Sequence, residues 1–299
     1  MVTTKIKKNP WKLAVGIFVI VFIVFGAFIF VAVKTQEDSE KILAAAIAVI
    51  PIKGEIGASD ELVKQIKKAD RDDSVKGIIL EIDSPGGSVL PSKEIADVVK
   101  ATKKPTVAWI RGAGASGAYW IASAADKIVA DETSITGSIG VIGSYLDYQG
   151  LFEKYGINYD QFVSGPYKDT GTPYRTPRDD ERAYFQGKIN ALKELFVDAV
   201  AENRNMSRAK IAKLATGEIF LGNEALSAGL IDVLGGRQEA QKTMQELAGL
   251  KDSRLVAYET PKGLLSLFTN SAESFAYWMG KGIGDSFKPR ANSVQLLAR

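Results

Sequence analysis

A chain of 299 residues, with 38 Lys and Arg against 35 Asp and Glu, contains neither histidine nor cysteine. Those absences exclude a Ser-His-Asp triad, a Cys-His pair, a disulfide and the common His- or Cys-rich metal sites. The net charge of +3 is concentrated at one end: Lys5, Lys7, Lys8, Lys12 and Lys34 precede every acid, leaving about −2 for the rest, which is not a nucleic-acid-binding balance.

Residues 13–33 are an unbroken apolar run, enough to cross a ~30 Å hydrocarbon layer as one helix. Trp11 stands at one interface, and Lys12 and Lys34 bracket the run. Basic residues before it and Glu37, Asp38 and Glu40 after it place residues 1–12 in the cytoplasm and the body outside. A cleavable leader would have a shorter core, ~7–15 residues, ending in a small-x-small site; the run reads as an uncleaved single-pass anchor.

After a linker over 34–45, residues 42–52 form an apolar run too short to span, read as a buried strand. The chain then alternates: helix 61–69, strand 75–82, helix 91–102, strand 106–110, helix 117–125, strand 127–130. Strands separated by helices of this length give an α/β fold with mostly parallel strands. Residues 136–143 read as a glycine-rich strand or loop, 148–155 as a short helix and 157–163 as another strand. An exposed loop follows over 165–176, then a long amphipathic helix over 179–205 whose apolar stripe runs through Ile189, Leu192, Leu195, Phe196, Ala199 and Val200. Ser207 caps a further helix, Gly229 ends one, 237–248 is the last clear helix and 254–259 the last strand. The tail after Pro261 is apolar but irregular, suited to the body, a neighbouring subunit, the membrane surface or a shield over the site.

Three places in this pattern could carry chemistry. Ser116 lies between glycines where a strand meets a helix, a setting that exposes a hydroxyl beside free backbone N–H groups. The same stretch also reads as a tight turn with Ser116 as N-cap. Residues 83–88, DSPGGS, follow the strongest strand and can present a second oxyanion donor at the carboxyl edge of the sheet, or form a simple type II turn. Without histidine, a serine nucleophile needs a lysine, a carboxylate or a group from another chain as its base, and Lys168 stands in a Gly-Pro-Tyr loop, not on a charged helix face.

The segments LEIDSPGGSV (80–89), AGASGAYWIASAADKIVA (113–130), TGSIGVIG (136–143), SGPYKD (164–169) and GEIFLGNEALSAGLID (217–232) resemble, in that order, the signal peptide peptidase A or protease IV family. The resemblance covers roughly residues 46–250, and the single anchor is similar to the short Gram-positive and archaeal form. It implies a Clp protease/crotonase-like fold over a peptidase domain at 46–260. It also implies a Ser-Lys dyad of Ser116 and Lys168, Ser138 orienting the lysine, and Gly87 and Gly117 lining the oxyanion hole, with no metal or cofactor. Further implications are a homo-oligomeric ring whose protomers share sites, and substrates that are remnant signal peptides and other apolar segments at the bilayer. Three alternatives stay open: a related peptidase cutting one membrane partner such as a stomatin-like protein, a crotonase-like acyl-CoA enzyme, and a non-catalytic scaffold.

Overall fold

The computed structural model describes residues 45–258, helical residues 22–23, 25–26 and 29–30, and strand residues 297–298. The expected anchor at 13–33 therefore lies mostly outside the described residues, as do the linker and most of the tail. Among the described residues no helix is long and apolar enough to cross a membrane.

In chain order the first elements are β1 (Ala45–Lys53), α1 (Asp60–Arg71), β2 (Val75–Ser84), β3 (Gly87–Ser88), α2 (Val89–Ala101) and β4 (Thr106–Ala115). Next come α3 (Gly117–Ser123), β5 (Lys127–Ala130), β6 (Ile135–Gly137), α4 (Gln149–Tyr155), α5 (Asp179–Asn203) and α6 (Arg208–Leu214). The described chain closes with β7 (Ile219–Leu221), α7 (Gly222–Ala228), β8 (Val233–Leu234), α8 (Arg237–Ala248), β9 (Ser253–Ala257) and β10 (Leu297–Ala298).

One sheet runs in the order β7-β6-β4-β2-β1-β9, with β5 joined to β4 and β8 to β5. Its pairings are parallel except β6 with β7. The strands read as continuous apolar runs because helices cover both faces. Along β1, Ala48, Ile50 and Ile52 face the layer holding Ile66 of α1, Ile95 of α2, Trp120 of α3 and Phe196 of α5. Ile47 and Val49 face Ala240 and Met244 of α8. The helix comes so close there that a Cβ on Gly77 would collide with the Met244 sulfur.

The mostly parallel α/β expectation therefore holds, with local corrections. The strand expected at 106–110 runs on to Ala115, and its two halves have different neighbours: Val107 to Ile110 pair with β5, Ala113 to Ala115 with β6. That divergence lies just before Ser116, at the carboxyl edge where parallel sheets open a crevice. Residues 157–163 form no strand, and among the described residues they have no ladder partner to satisfy an extended backbone. The stripe expected along 179–205 is half right. Phe196 and Val200 are buried together with Val197 and Ala201, but Leu195 is 52% exposed and the first turns of α5 stand clear of the core. The short strands β3, β7 and β8 carry too few residues for a periodic signal.

Candidate active site

Ser116 closes β4 and opens α3 with φ 55° and ψ −123°, a left-handed backbone uncommon for any residue with a side chain. Tertiary contacts hold the turn. Ser116 N–H donates to the Gly137 carbonyl at 2.8 Å, Trp120 N–H donates to the Ser116 carbonyl at 2.9 Å, and Thr136 Oγ1 donates to the Gly114 carbonyl at 2.8 Å. The helix behind is locked in turn: the Trp120 ring stacks on Phe196 at 4.5 Å with a 7° interplanar angle, and Tyr119 Oη donates to the Leu230 carbonyl at 2.8 Å. Burial pushes the Tyr119 phenol above its ordinary range, so it remains a neutral donor.

The Ser116 side chain itself is fully buried, and its Oγ has no hydrogen-bond partner among the described residues. An orphaned buried hydroxyl costs free energy, and a catalytic group is one reason to keep it.

The two glycines expected beside it are brought together. A Cβ on Gly117 would collide with Ser92 Oγ, lie 2.9 Å from Ser92 Cβ and stand only 3.4 Å from the Gly87 nitrogen. A Cβ on Gly87 would lie 2.5 Å from the Ile56 nitrogen, so neither position admits a larger residue without displacing backbone or α2. Ser84 fixes the preceding loop, its Oγ donating to the Gly54 carbonyl at 2.6 Å and accepting from Gly86 N–H at 3.1 Å. Gly86 takes φ 100°, open to glycine at little cost. Beyond it, Gly87–Ser88 pairs in parallel with Ile56 on one side and antiparallel with Leu297–Ala298 on the other.

Ser138 is also near Ser116, directly after the carbonyl that holds Ser116 N–H. It too is left-handed, φ 49°, and its N–H donates to the Glu218 carbonyl at 2.7 Å. Lys168 is placed differently. It sits on an exposed turn, its N–H donating to the Gly165 carbonyl at 3.1 Å, and it is not hydrogen-bonded to Ser116 Oγ. Within one chain the structure thus gathers Ser116, Gly117, Gly87 and the Ser138 backbone, and leaves the lysine outside.

The residues that hold Lys168's turn were invisible to sequence reasoning. Arg175 donates through Nε and Nη2 to Asp169 Oδ2 at 2.8 and 2.5 Å, and through Nη1 and Nη2 to Glu181 at 2.8 and 2.6 Å. The Arg175 guanidinium holds the Glu181 carboxyl down from its ordinary 4.5 to about 2, against the opposing effect of burial. The available signal was three acids at the start of a helix, a pattern that ordinarily serves only the helix dipole.

The profile of peptidase family S49 matches residues 99–251, and that of the NfeD1b N-terminal domain matches residues 46–148. The chain is 41% identical over 220 residues to a putative protease of Methanocaldococcus jannaschii, covering 72% of this chain and 70% of the relative. It is 36% identical over 225 residues to a putative signal peptide peptidase SppA of Enterococcus faecium, covering 74% and 62%. Against Protease 4 of Haemophilus influenzae it is 32% identical over 224 residues, covering 70% of this chain but only 36% of the longer relative. Among solved structures, a membrane-bound stomatin-specific protease in complex with a substrate peptide superposes with a TM-score of 0.51 at 17% identity, covering 77% of this chain and 99% of that one. That likeness concerns the fold alone.

Proposed function

The chain belongs to peptidase family S49 and is a serine protease, and on that footing we propose a membrane-anchored endopeptidase working through a Ser116–Lys168 dyad. Ser116 Oγ attacks the scissile carbonyl and its proton passes to the Lys168 amine. The N–H groups of Gly87 and Gly117 hold the oxyanion of the tetrahedral intermediate. Collapse breaks the C–N bond, and the lysine's proton goes to the leaving amine. Water then attacks the Ser116 ester, gives its proton to the lysine, and the hydroxyl is regenerated. Ser138 orients the lysine.

The observation that carries this reading is the Ser116 hydroxyl, buried, unpartnered among the described residues, on a left-handed turn beside two crowded glycines. A lysine base works as the free amine, which calls for burial or a nearby cation. Lys168 is exposed in the single chain, so the reading calls for a second protomer to cover it and complete each site in a homo-oligomer. Exposed Leu146, Leu151, Tyr155 and Phe162, the last 98% exposed, supply apolar surface for such a contact. Peptide binding is supported by β3, which already accepts the extended residues 297–298 as an antiparallel neighbour.

The anchor at 13–33 would hold the 46–260 domain on the extracytoplasmic side of the membrane, beside remnant signal peptides and other apolar segments. A second reading, cleavage of one membrane partner such as a stomatin-like protein, stays open beside it. The deciding test is fluorophosphonate labelling and casein hydrolysis by the full chain, wild type beside Lys168→Ala. Labelling of Ser116 with turnover lost in the variant supports the dyad; normal turnover in the variant refutes it. Digests of membrane fractions then separate the substrates. Loss of many signal peptides favours the first reading, and loss of one discrete protein the second.

A further inference from the structure

We propose that Arg175 is the positioning residue for Lys168, acting through Asp169, an inference that rests on Lys168 being the general base. Lys168 lies in the turn over 165–172, and four of its neighbours there are tied to α5 or to the segment leading into it. The Pro166 carbonyl accepts from Arg178 Nη2, and the Tyr167 ring stacks on Tyr184 at 5.1 Å. Asp169 Oδ2 takes two bonds from Arg175, while Thr170 Oγ1 donates to Glu181 Oε1 at 3.4 Å. Lys168 is left pointing outward, with its ammonium in no ion pair or hydrogen bond among the described residues.

Arg175 is the hub of this arrangement. Its guanidinium presents donors in a fixed plane, so the Asp169 carboxylate is held in direction as well as distance. The other edge of the fork grips Glu181, whose side chain is 1% exposed, and Glu181 Oε2 also accepts from Arg178 N–H at 2.9 Å. The turn is thereby referenced to the helix that stacks Phe196 under Trp120, directly behind Ser116. A buried charge cluster of this kind is a poor way to gain stability, because desolvation opposes it. Asp169 Oδ1 is buried with no hydrogen-bond partner among the described residues, a further cost. What the arrangement supplies is a fixed geometry next to the base. A displacement of about 1 Å at a reacting group can lower a rate by roughly 100-fold.

The test uses the full-length oligomer, isolated by sizing and assayed for kcat and KM on an apolar peptide. Lys168→Ala is run first and checks the underlying reading alone. Arg175→Gln is expected to lower kcat by about 100-fold with KM within about twofold and the oligomer intact. Arg175→Lys, which keeps the charge and loses the fork, is expected to recover part of that loss. Asp169→Asn should fall in kcat without a matching rise in KM. If Lys168→Ala is inactive while both Arg175 variants turn over within about twofold of wild type, the positioning role is overturned and the dyad stands. Equal changes in kcat and KM, or loss of the oligomer in both Arg175 variants, also overturn it, since either would make Arg175 a structural residue only. Normal turnover in Lys168→Ala would remove the base itself.

Discussion

The stretch that carries Ser116 and the stretch that carries Lys168 are built on different physics. Around Ser116 the chain is held by buried apolar surface: β4 and α3 lie inside one core that includes Ile82, Ile110, Trp120 and Phe196. Around Lys168 there is little core. The segment from 141 to the first turns of α5 is joined by the Asp169–Arg175–Glu181 ion pairs and by rings such as Phe152 against Tyr174 at 5.6 Å. Many of its apolar side chains face outward. A nucleophile in a strained turn needs a rigid support, because that backbone persists only where its surroundings determine it. On the proposed reading, a base completed by another protomer instead needs a surface that can be covered on assembly. The difference teaches that one chain can hold one segment by packing and another by directed polar contacts, and the proposed active site would draw on both.

Substitution can break this contrast or sharpen it. The largest effect is expected at the dyad. Ser116→Ala and Lys168→Ala should each lower kcat by about 1,000-fold or more, and the double variant should be little worse, since groups acting as a unit are not additive. Sizing should show the oligomer retained in each. Gly117→Ala comes next, with a fall in kcat of about 100-fold, because the added methyl meets Ser92 and crowds the Gly87 nitrogen. Ser138→Ala should cut kcat strongly without abolishing it, as the proposed orienting role of its hydroxyl requires.

Stability measurements separate the two regions directly. Phe196→Ala removes the stacking partner of Trp120 and should destabilise global unfolding by about 3–5 kcal/mol in denaturant titration. Tyr174→Ala should cost about 0.5–1.5 kcal/mol, read as faster hydrogen exchange over 149–176 with the sheet unchanged.

The smallest effect is in pH. The Glu181 carboxyl is held below its ordinary 4.5, at about 2, chiefly by Arg175. Its contribution is therefore complete above about pH 4.5 and is lost as pH falls through about 2. Hydrogen exchange across that window should loosen 165–176 before the sheet; simultaneous loosening of both would erase the contrast.

Much of the first region was legible in the sequence. Strand 127–130 and helix 237–248 have the bounds read from apolar periodicity, and Ser116 between glycines at a strand-to-helix junction is where the structure places its strained turn. The absence of histidine, by itself, excluded the commonest triad, and the ordered motifs carried the family. Period and turn chemistry are local properties, so one sequence suffices to read them. The structure alone decided that Leu195 faces outward, that 157–163 makes no strand and that Arg175 joins Asp169 to Glu181. Each of those depends on which distant segment becomes a neighbour. Such neighbours are chosen by the packing of the whole chain, and no spacing within a single segment records them.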